Sequence, residues 1–292
     1  MASKTILRVC SDIRCMKVRG ATNIACTALQ VLKGAKNKRE LTEMIALLMK
    51  TRPTEPLMRN GLRYVAYNVQ QNFDFKKSLN FWADRYMTMS KFALERIAEI
   101  GAKRIVNKAR IMTHCHATTV ASILAKAKEQ YKDFEVYVCE TRPRLQGRIT
   151  AKELAGYGIK VSYIIDSAKQ TYINDMDLVL VGADALTAEG NIINKVGTSE
   201  LAILAREADV DFGVAAELLK FDPITARGHP EPIEERDPGE VWDKPPKGVK
   251  VRNPAFDLTK RDLIDFIVTE EGVLSPHNIL STAYEKYPWL RR

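Results

Sequence analysis

The chain has 292 residues, 46% hydrophobic and 28% charged, with a formal net charge of +9; this is an ordinary globular composition with room for one large domain or two smaller ones. No run approaches the roughly 20 apolar residues needed to cross a bilayer, and Met1-Ala2-Ser3-Lys4-Thr5 lacks the apolar core of a secretory leader, so a cytoplasmic protein without membrane partners is expected. Five cysteines (Cys10, Cys15, Cys26, Cys115, Cys139) form no C-x-x-C pair and read as free thiols, while the basic residues are scattered with no basic aromatic patch, which disfavours nucleic acid and leaves attraction of anionic metabolites.

Up to residue 108 helical periodicity dominates. Arg19-Gly20-Ala21-Thr22 opens what reads as the first helix, with glycine-permitted approach to free backbone amides beside an arginine, a pattern suited to an anion. Ile24, Ala28, Leu29 and Val31-Leu32 mark its apolar face, and Leu41 to Met49 mark another. Thr51-Arg52-Pro53-Thr54 breaks the pattern, because proline removes a donor and restrains its neighbour. Helices follow over about Leu57 to Gln70 and Ser78 to Ile100, with Gly101 as the stop. Residues 1–108 are therefore expected to form an N-terminal helical domain.

Residues 109–292 alternate. Arg110–Thr113, Glu135–Cys139, Lys160–Ile165, Asp177–Val181 and Asp211–Ala215 read as buried strands. Thr119–Glu129, Ala151–Gly156 and Ser199–Ala208 read as helices between them. This predicts an α/β fold, a Rossmann-like, mainly parallel sheet flanked by helices, with ligands beyond the carboxyl ends of the strands. Residues 222–252 hold Pro223, Pro230, Pro232, Pro238, Pro245 and Pro246 and read as a long ordered excursion or a lid. A strand at Asp265–Val268 and a helix from Pro276 close the chain.

Four strand ends could carry chemistry. Thr113-His114-Cys115 runs into Ala117-Thr118-Thr119 and a helix; a thiol at a helix start has a lowered pKa, and the first amides suit a phosphate, although a buried structural cysteine fits the local pattern equally. Glu140-Thr141-Arg142-Pro143-Arg144 reads as a structural or supporting loop. Asp184, after the apolar run Leu178–Val181, is placed to be a general acid with a raised pKa; an ordinary turn aspartate is the alternative. Asn194-Lys195-Val196-Gly197-Thr198 pairs an amide and an ammonium with a glycine turn, suited to a hydroxylated, phosphorylated ligand, or simply to a helix cap by Thr198. Lys220 adds a cation after Asp211–Ala215. No G-x-G-x-x-G follows the first strand and no G-x-x-x-x-G-K-[ST] occurs, so dinucleotide and NTP-hydrolysing functions lose support. His114 and His116 flank the thiol without a third or fourth ligand nearby in sequence, so no metal is expected.

Arg19-Gly20-Ala21, Thr51-Arg52-Pro53-Thr54, Thr113-His114-Cys115, Glu140-Thr141-Arg142-Pro143, Gly182-Ala183-Asp184 and Asn194-Lys195-Val196-Gly197-Thr198, in this order, with Asn253-Pro254-Ala255-Phe256-Asp257 and Thr269-Glu270-Glu271-Gly272 later, resemble the superfamily joining methylthioribose-1-phosphate isomerase, archaeal ribose-1,5-bisphosphate isomerase and the regulatory subunits of eukaryotic initiation factor 2B. The regulatory subunits typically lack the thiol and carry Glu in place of Asp184. The methylthioribose branch usually has a longer N-terminus and Pro-Ala-Ile-Gly after Arg-Gly-Ala. Thr-His-Cys-His and the early Arg19 resemble the bisphosphate branch, although that branch commonly has glycine and a basic residue where Thr22-Asn23 stand here. The resemblance implies conversion of ribose 1,5-bisphosphate to ribulose 1,5-bisphosphate with Cys115 as base, as thiolate, and Asp184 as acid. It also implies phosphate or hydroxyl contacts from Arg19, Gly20, Ala21, Thr22, Arg52, Ala117, Thr118, Thr119, Asn194, Lys195 and Lys220. It implies no cofactor, a homo-oligomer (dimer or trimer of dimers), and AMP as an activator to be tested. Methylthioribose-1-phosphate isomerase and a non-catalytic regulatory subunit are the competing functions.

Overall fold

A computed structural model describes residues 4–52, 54–69 and 74–291. Pro53, at the expected break, Gln70, at an expected helix end, and Met1 to Ser3 lie outside these residues.

Five helices come first: α1 (Lys4–Arg14), α2 (Ala21–Leu32), α3 (Lys38–Met49), α4 (Pro56–Val69) and α5 (Phe75–Ala102). Arg19-Gly20-Ala21 therefore opens the second helix, not the first. α1 does carry the helical spacing, since Ile6, Cys10 and Ile13 at i, i+4 and i+7 form its buried stripe. Asn37 and Asp74 cap α3 and α5 by accepting the amides of Glu40 and Lys77. Gly101 does not stop α5, which continues to Ala102. A Cβ on Gly101 would lie 2.4 Å from Ile123, so the glycine permits close helix packing rather than termination.

From Ala109 strands and helices alternate: β1 (Ala109–Thr113), α6 (Thr118–Glu129), β2 (Phe134–Cys139), α7 (Gly147–Gly156), β3 (Lys160–Ile164), α8 (Lys169–Tyr172), β4 (Leu178–Gly182), β5 (Ala185–Leu186), β6 (Ile192–Lys195), α9 (Thr198–Glu207), β7 (Asp211–Ala215), β8 (Phe256–Thr259), β9 (Phe266–Thr269), β10 (Gly272–Leu274) and α10 (Ile279–Lys286). The main sheet has the order β10-β9-β7-β4-β1-β2-β3, and only the β9–β10 pair is antiparallel. From β1 the chain builds outward through β2 and β3; from β4 it builds the other way through β7 and β9. The order thus reverses between β1 and β4, and such a reversal leaves a crevice beyond the carboxyl ends of those two strands.

Ile97 and Ala102 of α5 pack with Ile123 and Leu124 of α6 on Val136, Leu180 and Val268 of the sheet. Val179, Val181, Phe212 and Val214 instead join a cluster that continues into Leu29, Leu57, Leu62 and Tyr86. That cluster links the helices of the first hundred residues directly to the strands. The helices cover both faces, so strands such as Leu178–Gly182 are buried throughout.

A second, antiparallel sheet, β5-β6-β8, was not evident from periodicity. β5 has two residues and β8 follows the proline-rich stretch, so neither offers a readable alternation. That stretch is an ordered excursion tied back to the helices. Arg59 binds both oxygens of Glu231 at 2.7 and 2.8 Å and Asp222 at 3.3 Å, and Arg52 binds Glu234 at 2.9 Å. Arg236 links Glu234 and Glu240, and Arg144 reaches Glu240 at 2.8 Å. Removing one partner from a buried pair of this kind typically costs about 3–5 kcal/mol. Among the described residues, no helix is long and apolar enough to cross a membrane.

Candidate active site

A cavity of about 130 Å³ lies at the strand reversal. It is several times the roughly 10–15 Å³ that one water needs, and so has room for a ligand. It is lined by Arg19, Gly20, Ala21, Thr22, Arg52, Cys115, Ala117, Thr118, Thr119, Asp184, Asn194, Lys195 and Lys220, the full set that the sequence marks. Cys115 follows β1 and Asp184 follows β4, so the thiol and the carboxyl come from the two strands that flank the reversal.

Each side chain is positioned by its element. Gly20 has φ 81°, which glycine adopts without strain, and it leads directly into the first amides of α2. Arg19 donates from Nε to the Met16 carbonyl at 2.6 Å. Asp184 follows the fully buried β4, is itself half-buried, and its amide donates to Ile193 of β6 at 2.8 Å. Lys220 donates to the Ala183 carbonyl at 2.7 Å and so braces the peptide next to Asp184. Lys195 lies 4.9 Å from the centre of the Phe256 ring.

Several expectations change. α6 begins at Thr118, three residues beyond Cys115, whose own backbone is left-handed with φ 68°. The thiol is not at the helix start. Burial pushes it up to about 11; Lys195 works against this and Asp184 reinforces it. The resting group is therefore a thiol, not the expected thiolate. Arg52 is 3% exposed and its charge is matched by Glu234 and, at 3.5 Å, by Glu55. The Thr119 hydroxyl is committed to the Ala215 carbonyl at 2.7 Å, which leaves its amide as the group at the helix start. Asn194 donates to the Thr198 hydroxyl at 3.0 Å. Thr198 does not cap α9: Gly197, with φ 97°, occupies the cap position, and the Asp257 carboxylate accepts the amides of Gly197 and Ser199. That helix start is already satisfied within the protein.

Sequence reasoning missed Glu55, His116, Arg144, Gln146 and the apolar Met16, Ile24, Ile149 and Phe256 of the lining. Arg144 and Gln146 belong to the loop that was read as supporting. Glu55 immediately precedes Pro56 at the start of α4, a position where an acid reads as ordinary helix-start chemistry. Behind Cys115, donor atoms of His114, Cys139 and Asp166 lie within 4.8 Å of one another, a convergence invisible in sequence. Both Asp166 oxygens already accept backbone amides, from Thr141 and Arg142. Burial, reinforced by the Lys169 ammonium, pushes His114 down to about 4. With a cation already nearby, the cluster reads as a brace across the ends of β1, β2 and β3.

Residues 17–276 match the model of the Initiation factor 2 subunit family. The chain belongs to this family. A member named ribose 1,5-bisphosphate isomerase, from Pyrococcus furiosus, is 42% identical over 99% of this chain and 96% of its own. Another, the methylthioribose-1-phosphate isomerase of Desulforudis audaxviator, is 36% identical over 94% of this chain and 90% of its own. The solved translation initiation factor eIF-2B of Pyrococcus horikoshii OT3 superposes with a TM-score of 0.84 at 27% identity, covering 94% of this chain and 98% of that one. The Initiation factor 2 subunit family thus includes members named as isomerases and as a translation factor, so membership alone does not choose among these activities.

Proposed function

We propose that this protein isomerises ribose 1,5-bisphosphate to ribulose 1,5-bisphosphate. The observation that carries the reading is the meeting of Cys115 and Asp184 in one cavity edged by Arg19, Lys195 and Lys220. The 42% identity with the Pyrococcus furiosus isomerase over nearly the whole chain supports it. The non-catalytic alternative would leave the thiol and carboxyl without a task.

The substrate is an aldose closed by a phosphate on C1, so the ring must open as the proton moves. Cys115, once ionised, takes the C2 proton. The released electron pair forms the C1–C2 double bond as the C1–ring-oxygen bond breaks. Asp184 protonates the ring oxygen as it leaves. The resulting enol phosphate gives its C2 hydroxyl proton to a carboxylate of the cavity, and Cys115 returns a proton to C1 to give the ketose. Each positioned acid or base contributes about 10²–10⁴-fold. Arg19 and the amides of Gly20, Ala21 and Thr22 hold one phosphate. Lys195, Asn194, Lys220 and the Ala117–Thr119 amides hold the hydroxyls and the other phosphate, and Arg52, which also lines the cavity, assists Arg19 at the first phosphate. The scheme uses protein groups alone.

Methylthioribose 1-phosphate is the second reading, favoured by the apolar Met16, Ile24, Ile149 and Phe256, which would suit a thioether. A coupled turnover assay with each substrate, with and without AMP, separates the two. The expected result is turnover of ribose 1,5-bisphosphate, raised by AMP, with little on the thioether sugar; the reverse preference would replace the reading. We also read the protein as a cytoplasmic homo-oligomer, a dimer or a trimer of dimers, which sedimentation would test.

A further inference from the structure

The isomerisation moves protons at two carbons and two oxygens. One thiol can serve both carbons, because it takes a proton from C2 and returns one to C1. The oxygens need the opposite services: the ring oxygen receives a proton while the C2 hydroxyl loses one. Asp184 supplies the first. The structure offers a second carboxyl for the other.

Glu55 lines the same cavity and is 2% exposed. Its Oε2 is sealed from solvent without a hydrogen-bond partner. Buried carboxylate oxygens are nearly always paired, and an exception calls for an explanation. Pairing with Arg52 does not supply one. The Glu55 Oε1–Arg52 distance is 3.5 Å, whereas Arg52 makes its close pair with Glu234 at 2.9 Å. Helix capping does not supply one either, since it is the Glu55 main-chain carbonyl that accepts the Arg59 amide. The charged groups acting on Glu55 are Arg52 and Lys220, which favour its ionised form, and Asp184 and Glu234, which oppose it; burial outweighs them all and pushes the carboxyl up to about 7. A group with that value exchanges protons readily near neutral pH.

We propose that Glu55 is the second carboxyl of the reaction, accepting the C2 hydroxyl proton as the enol becomes the ketone. The O–H bond at C2 breaks, its electrons form the C2 carbonyl, the enol double bond takes the proton from Cys115 at C1, and the hydroxyl proton ends on Glu55. Between turnovers Glu55 releases that proton to water and Asp184 takes one up from water, which restores both carboxyls. No oxidant, reductant or co-reactant enters.

The inference rests on the isomerase reading, and the test separates the two. The intact protein and its Glu55→Gln and Glu55→Asp variants are assayed with ribose 1,5-bisphosphate between pH 5.5 and 9.5, alongside thermal unfolding. Glu55→Gln is expected to lower kcat about 10²-fold or more, to leave KM within about threefold, and to remove the steeper limb of log kcat/KM below about pH 7 that an ionising Glu55 adds. Glu55→Asp keeps that limb with kcat reduced about tenfold by retraction of the carboxyl. A purely structural Glu55 would lower the unfolding temperature while leaving the shape of the pH profile unchanged, and that result overturns the proposal. If Glu55→Gln does not fold, parental kcat in Glu55→Asp overturns it instead. A parental protein inactive on this substrate removes both readings; an active parent with indifferent variants removes only the role of Glu55.

Discussion

The Cys115 amide donates to the Thr141 hydroxyl at 2.9 Å, and so ties the end of β1 to the loop after β2. The Cys115 carbonyl accepts the Thr150 hydroxyl at 2.9 Å. The unusual backbone of Cys115 is therefore held by main-chain bonds that do not involve sulfur. Cys115→Ser should keep the fold and the cavity while losing at least about 10²-fold in kcat. Turnover near the parental rate in this variant would exclude the thiol from the reaction.

Asp184→Asn preserves size and hydrogen-bonding capacity while removing the proton that the proposed reaction gives to the ring oxygen. We expect kcat to fall at least about 10²-fold with little change in substrate affinity measured by calorimetry. A variant that turns over normally would assign the acid elsewhere.

The raised thiol has a kinetic signature. Below its pKa the thiolate fraction grows tenfold per pH unit, so the reactivity of Cys115 toward an alkylating reagent in the ligand-free protein should still be climbing at pH 9 rather than levelling near 8. Lys195→Gln removes the cation that favours the thiolate and should slow alkylation several-fold at fixed pH. Alkylation that saturates below pH 8 would contradict the burial argument.

A Cβ on Gly182 would sit 2.5 Å from the Cβ of Ala117. Neither atom is the end of a flexible side chain, so the strand and the loop carrying Cys115 must separate. Gly182→Ala should cost about 1–3 kcal/mol by overpacking and lower kcat/KM about tenfold or more by displacing the loop. Adding Ala117→Gly should restore much of both. No recovery in the double variant would show that the contact is not the cause.

Glu231 sits against Asp222 and Arg59 in the clasp that holds the excursion. Burial, helped by a hydrogen bond shared with Asp222, pushes it up to about 8 despite Arg59. Between an unfolded value near 4.5 and this one, the folded protein holds a proton that the unfolded chain has released. Its contribution to stability is complete below about 4.5 and is lost as pH rises through 8. Glu55 and Glu217, each raised to about 7, act in the same direction. Thermal unfolding should therefore occur at lower temperature at pH 9 than at pH 7. Glu231→Gln should flatten that decline, and an unchanged slope would count against it.

The main sheet was legible because its central strands are short apolar runs buried on both sides, as in Leu178–Gly182. That pattern survives without knowledge of the neighbours. The positions of Cys115 and Asp184 followed from the rule that chemistry gathers beyond strand ends. What could not be read was the environment. The sequence places Cys115 close to a helix, but the intervening turn and the burial that reverses the expected effect on the thiol depend on strands and loops far along the chain. Arg52 looked like a free phosphate ligand because Glu234, which matches its charge, is remote in sequence. Glu55 was passed over because its isolation inside the protein, rather than its type or spacing, makes it unusual.

The pairing of β6 with β8 also sets a timetable. Lys195 and Asn194 find their strand partners only at Phe256 and Asp257. During synthesis that stretch takes on the order of several seconds to emerge. Until then, the wall that carries the ammonium has one open edge, and the start of α9 lacks the Asp257 carboxylate. The cavity at the strand reversal is thus among the last regions to set. A nascent chain stalled before Phe256 should hold most of its parallel sheet while being unable to grip an anionic sugar.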